Sequence, residues 1–143
     1  MSGNRVDPRE RIEEMLAKSI SEYNSLYRRT SMGNAREFLE FFIGINRSCL
    51  TALRKKESVA VPIDLHTDIH TTDHLSPQES TDSGSLSSIL RFMTSEQRKL
   101  YEGAEKISRK AGFQIGSAEE SVVEVLQKAS MKAEIIYDEI IQK

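Results

Sequence analysis

The sequence holds a single cysteine, Cys49, in 143 residues. One thiol cannot build an internal disulfide framework, and so sparse a use of cysteine fits a reducing compartment. No apolar run approaches the ~18–20 residues that a bilayer-spanning helix needs. The opening Met1-Ser2-Gly3-Asn4-Arg5-Val6-Asp7-Pro8 has no apolar signal region, and Ser2 stands where myristoylation requires glycine. The expected setting is therefore a cytosol, the cell's own or a host's, with no membrane partner. There is no glycine-rich phosphate loop, Cys-x-x-Cys pair, serine nucleophile elbow or paired-carboxylate helix motif. Hydrophobic residues make up 38%, below the usual ~45–50% even with the seven glycines added. One domain over 1–143 with one core is expected, with some segment left outside that core.

Lysine and arginine are missing from a whole segment. Residues 57–85 carry six acids and no Lys/Arg, whereas residues 1–56 balance at +4, 86–116 at +3 and 117–143 at −3. The net charge of −2 conceals this segregation. Acids interrupt the basic residues of the first helix, so no continuous basic stripe for nucleic acid is evident there, and nucleic acid is the least favoured partner. The basic helix ends at Arg54, Lys55, Lys56, Arg109 and Lys110 could receive the acidic segment or an acidic partner, with Arg28, Arg29 and Lys106 beside them.

Every histidine falls within nine residues of that acidic segment. His66, His70 and His74 repeat every four residues, with Asp64, Asp68 and Asp73 interleaved. Imidazole and carboxylate are good ligands for Zn²⁺, Ni²⁺, Cu²⁺ or Fe²⁺. A divalent metal at His66, His70, His74 and Asp68 is thus the one cofactor the sequence suggests. Protonation of the histidines below pH ~6.5 would remove much of the local negative charge, which is a physical basis for pH sensing. The opposing reading is a solvated polar loop in which these residues cluster by chance. The glutamate of a His-Glu-x-x-His metalloprotease is missing.

The helical segments announce themselves by period. Asp7 is a good N-cap and Pro8 suits the first helical position. Ile12, Met15, Leu16, Ile20, Tyr23, Leu26 and Tyr27 then form one stripe, and Gly33-Asn34 ends it. A second helix, about 35–56, carries apolar residues around half its circumference, more than a surface helix needs. Asn46 points into that arc and requires a hydrogen-bond partner if buried. Cys49 shares the inner face and reads as a buried small hydrophobe. Val59, Val61, Ile63 and Leu65 alternate with polar residues, which predicts a short extended segment, and Pro62 makes it an edge or isolated one. From Thr71 the composition is that of a flexible loop.

Helicity resumes near Ser85. Thr94 with Gln97 resembles a capping box and predicts a new helix start there. Gly112 predicts its stop. Ser117 with Glu120 is a second capping box, and Val122, Leu126, Ala129, Ala133, Ile136 and Ile140 follow at alternating spacings of four and three. Asp82-Ser83-Gly84-Ser85-Leu86-Ser87 resembles the Asp-Ser-Gly-x-x-Ser phosphodegron read by an F-box ubiquitin ligase, and Ser76-Pro77 resembles a proline-directed phosphosite. The first resemblance departs from the pattern at Ser85, where a hydrophobic residue is usual.

The expected architecture is all-α: a bundle of four helices, or four plus one short one, with a long acidic connector over 57–85. The expected function is that of a non-enzymatic regulatory or adaptor protein, self-associating or binding a protein partner. Its interaction residues are expected to be Leu39, Phe41, Ile43, Leu50, Met131 and Ile135. A metal- or pH-responsive sensor and a nucleic-acid binder are the alternatives.

Overall fold

A computed structural model describes residues 7–31, 33–65 and 83–141. Among these it contains four helices and no strand: α1 Pro8–Arg29, α2 Gly33–Lys55, α3 Ser83–Ala111 and α4 Ala118–Ile141. The helix ends follow local chemistry. Asp7 Oδ1 accepts from the Arg9 N–H at 2.9 Å, and Pro8 occupies the first turn. Ser117 Oγ accepts from the Glu120 N–H, so Ser117 caps α4, while Glu120 Oε1 reaches one residue past the cap and accepts from the Gly116 N–H, both at 3.2 Å. Gly112 ends α3 at φ +68°, the left-handed region that glycine enters without strain.

Helix α2 stops without glycine. Glu57 N–H donates to Ala52 O and Lys56 N–H to Leu53 O, at 2.9 and 3.2 Å. This Schellman-type closure forces Lys56 to φ 57°.

The capping box expected at Thr94 does not form. Helix α3 runs unbroken through it for 29 residues. Thr94 Oγ1 instead donates back to Leu90 O at 2.9 Å, as Thr inside a helix does. Gln97 faces the core and bonds across it. Tertiary partners on two other helices win over a local cap. The phosphodegron-like stretch is likewise helical from Ser83 onward.

Cross-helix contacts fix the topology. Tyr27 meets Arg36 and Glu40, so α1 and α2 are antiparallel. Tyr23 meets Met93 and Gln97 while Met15 lies against Gly103, so α1 and α3 are antiparallel. Arg91 meets Tyr137 and Arg98 meets Glu134, so α3 and α4 are antiparallel. It follows that α2 and α3 run parallel. They occupy one diagonal of the bundle, and α1 and α4 the other; α3 and α4 share the largest interface.

Parallel α2 and α3 explain the long connection. The chain leaves α2 at one end and enters α3 at the other, roughly 33 Å away at 1.5 Å per residue. About ten extended residues are the minimum for that span. The start of the connector is docked. Ser58 Oγ donates to Gly116 O at 3.0 Å, and the Val59 N–H donates to Ser121 Oγ at 2.9 Å. Val59, Val61 and Ile63 pack against the core while Ala60, Pro62 and Asp64 are exposed. The predicted alternation is present, but the segment pairs with no strand; the first turn of α4 meets its backbone instead.

Candidate functional site

Polar side chains converge at the centre of the bundle. Tyr23 of α1 donates its hydroxyl proton to Gln97 Oε1 of α3 at 2.7 Å. Asn46 of α2 donates from Nδ2 to the same oxygen at 3.0 Å, and Gln97 Nε2 donates to Asn46 Oδ1 at 3.2 Å. All three residues are fully buried. Asn46 thus has the partner its position demanded. Burial pushes the Tyr23 hydroxyl well above its ordinary range, and the nearby Glu96 carboxylate adds to the shift. Ser19 Oγ is buried with no hydrogen-bond partner. A knot of this kind ties three helices into one register. With no exposure, it offers a substrate no way in.

Cys49 is fully buried, and burial pushes its thiol up to about 12. A thiol so protonated is a weak nucleophile at neutral pH.

The residues expected to meet a partner divide. Leu39, Ile43 and Leu50 lie in the core, at 0%, 7% and 8% exposure. They are not free for another chain, because α1 covers one flank of α2 and α4 the other. The wide apolar arc of α2 is spent inside the molecule. Phe41 and Met131 remain exposed, at 39% and 44%, and Ile135 is half-buried. Arg36 and Glu40, bound to Tyr27, mark the flank of α2 that α1 covers. At 100° per residue Phe41 leaves by the opposite flank, which borders α4. Glu134 and Tyr137 mark the α3 side of α4. Met131 points directly away from the buried face of α4, and Ile135 lies between it and the α2 flank. Phe41 and Ile135 therefore border the α2–α4 edge, and Met131 stands beside it on the outward face of α4. Ile115, 92% exposed, stands apart in the turn before α4.

Arg54, Lys55 and Lys56 end α2, and Arg109 and Lys110 end α3. The parallel run of the two helices brings all five to one end of the bundle, but at diagonal corners. Arg54 reaches Glu13 at 3.9 Å and Arg109 reaches Glu105 at 3.5 Å.

His66, Asp68, His70 and His74 lie outside the described residues. Among the described residues no three His, Cys, Asp or Glu side chains stand close enough to hold a metal ion.

The cations that sequence reasoning passed over are Arg91, Arg98 and Lys99. With Thr94, Ser95, Glu102 and Tyr137 they line a cleft of about 310 Å³ between α3 and α4. Reading a helix start at Thr94 had separated Arg91 from the others. A continuous 3.6-residue period through 86–111 was the signal that joins them.

Compared with family models, curated proteins and solved structures, the chain matches none. No helix among the described residues is long and apolar enough to cross a membrane.

Proposed function

We propose that the protein is a non-enzymatic helical module that self-associates through the α2–α4 edge. The carrying observation is Phe41 and Met131, large apolar side chains exposed on two adjacent helices and flanked by the half-buried Ile135. Phe41 and Ile135 border the edge from its two helices, so a partner lying along it would reach Met131 as well and cover all three apolar groups. A second copy would cover this edge by laying its own α2–α4 edge across it, an isologous arrangement that closes as a dimer. The inward-facing polar knot supports a non-enzymatic reading, since the polar side chains gathered there serve each other rather than solvent.

Light scattering over a concentration series tests this. Wild-type protein is expected to show the mass of a dimer, and the Phe41→Glu/Met131→Glu variant that of a monomer. A wild-type monomer at every concentration defeats the proposal, as does a variant that remains dimeric.

A further inference from the structure

The outward face of α3 is a basic stripe. At 100° per residue Arg91, Arg98, Lys99, Lys106, Arg109 and Lys110 fall within an arc of about 120°. All six are exposed. From Arg91 to Lys110 the stripe is about 28 Å long. Glu102 is the one acid inside the arc. Glu105, at one margin, binds Tyr101 and Arg109, and the buried Glu96, beyond the other margin, pairs with Lys99 at 3.7 Å.

Part of the stripe is held in place. Arg91 Nε donates to the Tyr137 hydroxyl at 3.1 Å, and Arg98 pairs with Glu134. Both guanidinium groups are thereby steadied at the mouth of the α3–α4 cleft, beside Lys99 and the hydroxyl of Ser95. A guanidinium presents a planar fork of donors that matches a carboxylate, and an exposed partner is readily exchanged for one.

The width of the stripe selects its partner. It is one helix across, and carboxylates border it on the α4 side. Glu134 and Asp138 lie on α4, whereas Glu22 of α1 shares the α1–α3 clefts with Arg29 and Lys18. Duplex nucleic acid, wider than a helix, would overhang the α4 carboxylates and be repelled by them. A single acidic segment of helical diameter, ~10–12 Å, would not. The cations at 91, 98 or 99 and 106 recur at roughly heptad intervals, with 109 and 110 half a heptad further on, which matches carboxylates on one face of a helix.

We infer that the outward face of α3 docks an acidic helical segment of a partner protein, with glutamates or aspartates near heptad spacing. This surface is distinct from the α2–α4 edge, because α3 lies diagonally across the bundle from α2.

The test uses the full chain and a fluorescent helical peptide carrying glutamate at heptad positions. The same peptide with glutamine and a short DNA duplex are the comparators. Anisotropy is expected to show saturable binding of the acidic peptide, weakening about tenfold between low and moderate salt. Lys99→Glu/Lys106→Glu should weaken it about tenfold with the circular dichroism melt unchanged. Lys99→Gln/Lys106→Gln serves the same purpose if the glutamates unfold the chain. Phe41→Glu/Met131→Glu, altered on the other face, should bind as wild type does. Equal binding of the glutamine peptide, or an unaffected Lys99/Lys106 variant, overturns the inference. So does tighter binding of the duplex, which would assign the stripe to nucleic acid.

Discussion

Gln97 and Arg98 are adjacent in the chain and opposite in circumstance. Gln97 is fully buried and bonds to α1 and α2. Arg98 has a side chain 54% exposed and leans onto α4. Both are polar and both make hydrogen bonds, yet they do different work. The amide has no water to fall back on, so its partners must be supplied by the fold. The guanidinium can exchange its partner for water or a ligand at little cost. One therefore fixes helix register, and the other remains free to recognise. A rotation of 100° along one helix separates structural polarity from binding polarity.

The largest effect should come from breaking the buried member. Gln97→Ala leaves the Asn46 amide and the Tyr23 hydroxyl without their main partner, at a cost of about 2–4 kcal/mol. Urea denaturation reads this directly. Replacing all three polar groups together, by Tyr23→Phe, Asn46→Leu and Gln97→Leu, should recover most of the loss, because nothing polar then stays unpaired. An unchanged midpoint for Gln97→Ala would show that the knot contributes nothing to stability.

Gly103 tests the same helix on its α1 flank. A Cβ there would run into the Met15 methyl, the movable end of a flexible side chain. Gly103→Ala should be nearly neutral, since Met15 can turn aside and alanine favours helix. Gly103→Ile adds more bulk than Met15 can yield to, and should cost about 1–3 kcal/mol by thermal melting.

Buried Cys49 sets a pH limit. Its thiol pKa in the fold is about 12. In the unfolded chain it is about 8.5. Below pH ~8.5 both states hold the proton, and the stability tied to the neutral thiol is fully present. Between the two values only the unfolded chain releases the proton. Stability then falls as pH rises, by up to about 1.4 kcal/mol per pH unit. Tyr23, raised as well, adds loss in the same direction above its own unfolded value. Urea midpoints from pH 8 to 10 should decline, and Cys49→Ala should flatten the first part of the decline.

The smallest effect should be at the exposed member. Arg98→Ala should leave the denaturation midpoint where it was, because its partner Glu134 is itself exposed and solvated. The same substitution should weaken the acidic peptide on α3. A large loss of stability at Arg98 would erase the contrast with Gln97.

The parts of the fold legible in the sequence are those set by neighbours a few residues away. Asp7 with Pro8, and Ser117 with Glu120, marked two helix starts, and Gly112 marked a stop. Thr94 and Gln97 carried the same local signature and misled, because Gln97 had partners 74 and 51 residues away that outcompeted the cap. The stop at Lys56 carries no glycine and had no such local signature. In the candidate interface, Leu39, Ile43 and Leu50 were drawn from the same apolar arc as Phe41, and periodicity alone could not say how many neighbours α2 has.

Composition and period determined an all-helical chain, the apolar faces of its helices, the acidic stretch between two of them and the need of Asn46 for a partner. These follow from side-chain chemistry repeated at 3.6 residues, which any helix must obey. Only the tertiary structure decided that α2 and α3 run parallel, that Gln97 is the residue answering Asn46, and that Phe41 rather than Leu39 faces outward. Those outcomes depend on which helices surround each face, and contacts between residues distant in the chain have no period from which to be read.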